Sequence, residues 1–138
     1  DLHPGRVAYA QTLGLNALSP DQVSDTFERI IVLPGTPAAI DAAVRISAPD
    51  AVICLFAPLP PDVPMPLSMA STAYFRDLTV VHSYSCGPED TRVAAEHIRA
   101  GRVRAEQVVS NFITLDQLPD AYRAMAEGRI LKAMVEFS

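Results

Sequence analysis

The chain has 138 residues, 49% hydrophobic and 20% charged, a composition that supports one folded domain with a real core and excludes a disordered chain. Eleven Lys and Arg against 16 Asp and Glu give a formal net charge of -5, and the arginines are scattered among acids, which argues against nucleic-acid binding. No apolar run approaches the ~20 residues of a membrane span, and the start lacks the basic-then-apolar pattern of a signal peptide, so the expected location is the cytoplasm. Cys54 and Cys86 are not a close-spaced ligand pair and only three histidines accompany them. Neither a zinc site within the chain nor a disulfide is therefore expected.

In chain order, "PGRVAYAQTLGL" places Val7, Ala10 and Leu13 at helical spacing, with Pro4 suited to a first turn and Gly14 to a stop. The next stretch, "NALSPDQVSDTF", is loop with a short edge element. "RIIVLPGT" carries a continuous apolar run from Ile30 to Leu33, cut by Pro-Gly, and predicts a strand buried on both faces. "TPAAIDAAVRIS" predicts a crossover helix, with Thr36 as cap and Ile40, Ala43 and Val44 on one side. Ala51 to Phe56 repeats the buried-strand pattern, which completes a βαβ unit with a right-handed crossover. The proline-rich segment that follows is a wandering loop with a helical piece near 68–75; "LTVVHSYS" is a third strand and "PEDTRVAAEHIRAG" a helix. "LPDAYRAMAEG" reads as a further helix with Leu118, Ala121, Tyr122 and Met125 on one face, and "ILKAMVEF" as a closing strand. The class is α/β: an open, mostly parallel, doubly wound sheet with helices on both faces.

Such a sheet places ligands at the carboxyl ends of its strands, in the loops "LPGT", "APLPPD" and "SCGPED". None of these holds a nucleophile beside a base. Glu89 and Asp90 could be paired for acid–base work, but at a helix start they serve the helix dipole. Ser83, Ser85 and Cys86 are nucleophiles by type only, and His3 and His97 read as structural or solvated.

The succession "DLHPGRVAYAQTLGL", "FERIIVLPGTPAAIDAAVRIS", "DAVICLFAP", "LTVVHSYSCGPEDTRVAAEHIRAGRV" and "FITLDQLPDAYRAMAEGRILKAMVEF" resembles the medium-chain dehydrogenase/reductase superfamily over nearly the whole chain. "SYSCGPED" and the "LKAMV" ending most resemble its zinc-dependent alcohol, polyol and threonine dehydrogenases. The resemblance implies a partial Rossmann fold that lacks the first strand, with 1–115 as the later part of a dinucleotide-binding domain and 116–138 returning toward a substrate domain. Asp1 would close the second strand of the nucleotide-binding sheet and accept hydrogen bonds from the adenosine ribose, favouring NAD over its phosphorylated form. Arg6 would flank the adenine. Leu33, Pro34 and Gly35 would lie beside the ribose, Phe56 and Ala57 near the nicotinamide, His82 and Ser83 near its carboxamide, and Lys132 at the pyrophosphate. "LPG" departs from the small-residue pattern usual there, and "LFAP" lacks the glycine common at that strand end.

No G-x-G-x-x-G occurs in the sequence, so the turn that cradles the pyrophosphate would lie upstream of Asp1. The resemblance likewise implies that catalytic zinc and proton relay belong to the family's other half. The expectation is thus the C-terminal part of an NAD-dependent alcohol or polyol dehydrogenase, inactive as this chain alone. A zinc-independent quinone or enoyl reductase fragment and a non-catalytic assembly module remain alternatives. Two apolar sheet edges would be left open, and the one at Leu78 to Tyr84 is expected to pair two copies across a two-fold axis.

Overall fold

A computed structural model describes residues 1–137, and the chain divides into two compact units, Asp1–Ser85 and Cys86–Ser138. The division of function expected at 115/116 falls inside the second unit.

The first unit opens with α1 (Pro4–Thr12) and contains β1 (Phe27–Val32), α2 (Pro37–Arg45), β2 (Ser47–Leu55), a single helical turn α3 (Thr72–Phe75) and β3 (Thr79–His82). Proline at the head of α1 and α2 removes an N–H that no helical carbonyl would accept. Thr36 adds a cap to α2, its Oγ1 accepting from the Ala39 N–H at 3.3 Å. Past the end of α1 the chain turns at Gly14, whose φ of 79° is costly for any side chain.

The three strands are parallel in the order β1-β2-β3, the arrangement that a βαβ unit and a further crossover produce. Their register aligns Ile30 with Ile53 and Val80, Ile31 with Cys54 and Val81, and Val32 with Leu55 and His82. Because side chains alternate between faces, Ile53, Leu55 and Val32 share one face, and there they bury with Ile40, Ala43 and Val44 of α2. Each fully buried aliphatic side chain in this cluster contributes about 1.5–3 kcal/mol. On the other face Ile31 stays 68% exposed and Val81 41%.

β2 begins at Ser47, earlier than the expected Ala51. "SAPD" has the composition of a turn, yet Asp50 adopts a φ of 61° and donates its N–H to the Arg76 carbonyl at 3.0 Å. The irregularity is absorbed as a register shift between Phe27 and Arg29 while the strand continues. Arg76 fastens the same corner: its Nη1 donates to the carbonyls of Val44, in the last turn of α2, and of Ser47, just past it, each at 3.0 Å.

The second unit contains α4 (Pro88–Arg99), β4 (Asn111–Ile113), α5 (Leu118–Ala126) and β5 (Ala133–Val135). β4 and β5 pair in parallel, Phe112 opposite Met134. The Ser110 hydroxyl secures this pair by accepting from the Leu131 N–H at 3.1 Å and donating to the Lys132 carbonyl at 3.1 Å. α5 buries Ala121 and Ala124, the small residues of its apolar face. Among the described residues no helix is long and apolar enough to cross a membrane.

Candidate functional site

The carboxyl ends of β1, β2 and β3 are tied to one another by backbone. Phe56 donates its N–H to the Val32 carbonyl at 2.9 Å, and Ser83 to the Leu55 carbonyl at 3.1 Å, so the ladder continues into the loops. The loops themselves touch at Gly35: a Cβ built there would meet the Pro58 carbonyl oxygen at 2.0 Å. Only glycine permits that approach, and Gly35 thereby fixes the loop after β1 against the loop after β2.

A pocket of about 280 Å³ opens at the ends of β2 and β3. Buried Ile40 and Leu55 lie deepest among its lining residues, Ala57, Pro58, Leu59 and Met65 add further wall, and exposed His82, Ser83 and Tyr84 complete the lining. Three of the residues singled out from the sequence, Ala57, His82 and Ser83, are thus brought together. Leu33, Pro34 and Phe56 stand at the neighbouring loop ends, exposed, and do not line the pocket. Leu59 and Met65 were not anticipated, because a proline-rich segment read as wandering carries no periodicity, and Tyr84 was read only as the end of the third strand. The signal available for Leu59 and Met65 was the alternation of proline with apolar residues in "PLPPDVPMPL", which stiffens the chain.

Asp1 and Arg6 form a pair of their own at the start of α1. Arg6 Nε reaches both carboxylate oxygens at 3.0 Å and its Nη2 reaches Oδ1 at 2.8 Å, while the His3 N–H also donates to Oδ1 at 2.8 Å. Oδ1 therefore takes three donors and Oδ2 one, and a carboxylate oxygen has room for more than one. Oδ2 is the open acceptor, suited to a hydroxyl. Lys132 belongs to the second unit, is exposed, and directly precedes β5.

The acids at the start of α4 act as helix-start groups. Asp90 Oδ2 accepts from the Gly87 N–H at 2.8 Å, and Glu89 Oε2 accepts from Arg92 Nε at 2.9 Å. The Arg92 guanidinium holds the Glu89 carboxyl below the usual carboxylate range, and Glu89 in turn raises Arg92. His97 accepts a hydrogen bond from Arg102 Nε at 2.7 Å, and the exposed Cys86 thiol lies 3.9 Å from the Thr91 hydroxyl. Among the described residues no group of three His, Cys, Asp or Glu side chains is placed to hold a metal ion.

No protein-family model matches the chain, and no match is found among curated proteins. Solved structures do match. An alcohol dehydrogenase from Thermus sp. ATN1 superimposes with a TM-score of 0.81 at 19% identity, over 100% of this chain and 43% of that one. A zinc-binding-domain alcohol dehydrogenase protein from Burkholderia ambifaria gives 0.82 at 16% identity, over 100% and 40%. A protein from Escherichia coli CFT073 described as a short chain alcohol dehydrogenase, complexed with NADH, gives 0.81 at 16% identity, over 99% and 43%. The chain spans about two fifths of the length of such structures. It has the Rossmann-like α/β fold found in medium-chain alcohol and polyol dehydrogenases, over that portion of their length.

Proposed function

We propose that the chain is the later part of the dinucleotide-binding region of a zinc-type, NAD-linked dehydrogenase that oxidises an alcohol or polyol. The observation that carries this reading is the pocket at the carboxyl ends of β2 and β3, lined by Ala57, His82 and Ser83. That is where an open parallel sheet receives its ligand, and one protein of the same fold is complexed with NADH.

The proposed contacts divide by chemistry. Asp1 Oδ2 would accept from a ribose hydroxyl and repel a 2′-phosphate, with Arg6 holding the carboxylate in place. Leu33, Pro34 and Gly35 would border the second ribose, Phe56 and Ala57 the nicotinamide, and His82 and Ser83 its carboxamide. Lys132 would meet the pyrophosphate as a point charge. When bound, NAD supplies the hydride acceptor, and this chain's residues bind it, orient it and exclude water from it.

The described residues do not fit zinc, and the proposal places both the metal and the proton relay in a part of the enzyme outside these 138 residues. Hydride transfer by this chain alone is not expected. The division at 115/116, with 116–138 returning toward a substrate domain, and a cytoplasmic location belong to the same proposal.

Association is also proposed through the edge at Leu78 to Tyr84, where β3 has one neighbouring strand among the described residues and Val81 is exposed. Open apolar edges pair, and a two-fold contact is the commonest geometry. Light scattering behind size-exclusion chromatography should give at least a dimer, with Val81→Lys shifting the chain to monomer. A compact monomer at high concentration, unchanged by the substitution, would remove this part of the proposal.

The binding reading is tested by calorimetric titration with NAD. With only part of the cofactor's site in the chain, affinity no tighter than millimolar is expected. A micromolar dissociation constant would overturn the partial-site reading.

A further inference from the structure

Resting on the nicotinamide reading above, we infer that Tyr84 is a further binding residue of this site: its phenol ring stacks on the nicotinamide and favours the oxidised, positively charged ring over the reduced, neutral one. Tyr84 lines the pocket at the ends of β2 and β3. It follows Ser83, whose N–H is anchored on the Leu55 carbonyl at 3.1 Å. After it, Ser85 takes a φ of 62°, a left-handed backbone that residues other than glycine adopt uncommonly. Tyr84 thus sits between an anchored residue and a defined turn. Its ring is 96% exposed and makes no ring contact among the described residues. A phenol in that position leaves its apolar faces in water, and a planar ligand ring would cover one of them.

The preference for the oxidised ring follows from the rest of the lining. Oxidised nicotinamide is a planar pyridinium with a positive charge, and the reduced ring is neutral and no longer aromatic. The pocket lining offers that charge no Asp or Glu, and Tyr84 carries its only benzenoid ring. The face of such a ring is the negative part of its quadrupole and attracts a cation lying within about 6 Å of its centre. Aliphatic walls such as Leu55 and Leu59 have no such preference. Tyr84's contribution should therefore favour the oxidised form by about two- to fivefold, the range of an exposed cation–π contact.

The full chain is titrated with NAD, with NADH and with ADP-ribose, which lacks the nicotinamide ring, and followed by NMR of its tyrosine ring protons and backbone amides. Of the four tyrosines only Tyr84 lines this pocket, and its signal is assigned by its loss in Tyr84→Phe. The expected result is a saturable upfield shift of the Tyr84 ring protons with NAD and none with ADP-ribose. The ratio of the NADH to the NAD dissociation constant should fall by about two- to fivefold in Tyr84→Leu and be retained in Tyr84→Phe, which keeps the ring face. Comparing that ratio between variants cancels every contact that the two cofactor forms share. A Tyr84 ring unmoved by NAD, or moved as far by ADP-ribose, or a ratio in Tyr84→Leu equal to the parent's, overturns the inference. The amides of Ala57 and Ser83 separate the two readings. If NAD moves them further than ADP-ribose does while the Tyr84 ring stays still, the inference fails and the nicotinamide reading stands. If NAD moves them no further than ADP-ribose does, the nicotinamide reading fails and the inference falls with it.

Discussion

Replacing Gly35 by alanine tests whether the loops after β1 and β2 are held together as the structure has them. The added Cβ would lie 2.0 Å from the Pro58 carbonyl oxygen and 2.9 Å from its carbon. Both are backbone atoms that no rotamer change can move aside. Restoring ordinary contact requires the loops to part by about 1.4 Å, a displacement of the kind that costs an overpacked site about 1–3 kcal/mol. The upper half of that range applies here, because the separation also pulls on the Phe56 to Val32 hydrogen bond. At roughly 3 °C per kcal/mol for a chain of this size, the loss corresponds to about 6–9 °C in Tm. Gly5→Ala is the control: its Cβ meets only the exposed His3 ring, a side chain that can turn aside, at 3.2 Å, and alanine is the better helix former by about 1 kcal/mol, so that variant should be neutral or more stable. Urea unfolding followed by circular dichroism measures both. Gly35→Ala unfolding within about 0.5 kcal/mol of the parent, the range of an ordinary surface substitution, would refute the loop contact.

Arg76→Ala should destabilise the first unit by about 2 kcal/mol, because it leaves the Val44 and Ser47 carbonyls without their charged donor; Arg76→Lys should recover part, and a denaturation midpoint equal to the parent's would contradict the role. Glu89 has a folded-state pKa below its unfolded value, so its contribution is present above the ordinary glutamate range and is lost as pH falls through the depressed value. Carboxyl-carbon NMR should show Glu89 titrating at lower pH than in Arg92→Ala, and identical curves would show that Arg92 has no hold on it.

The strands and crossover helix were legible because β1 and β2 carry continuous apolar runs and Thr36-Pro37 marks the start of α2. The expected burial of β1 on both faces is not met, since Ile31 is 68% and Leu33 61% exposed and, among the described residues, only the face toward α2 is covered. The strand order follows from the same units and is observed. β4 was not legible, since three residues, Asn111 to Ile113, are too short for any period and their pairing depends on a partner 22 residues away. The early start of β2 was hidden by Pro49 and Asp50, whose turn chemistry is overridden by the Asp50 to Arg76 hydrogen bond. At the site, Ala57, His82 and Ser83 could be placed at strand ends from the sequence. Leu59 and Met65 could not, because their positions are set by how the proline-rich segment folds back over Leu55 and Ile40. The Gly35 approach to Pro58 is a tertiary fact that glycine alone does not announce.

The central claim is that the loops at the carboxyl ends of β1, β2 and β3 receive the nicotinamide half of NAD, and amide chemical-shift mapping of the full chain against millimolar NAD tests it most directly. The account predicts saturable shifts at Gly35, Phe56, Ala57, His82 and Ser83, with the amides of α5 unmoved. Shifts absent from those five positions, or confined to the second unit, would contradict it.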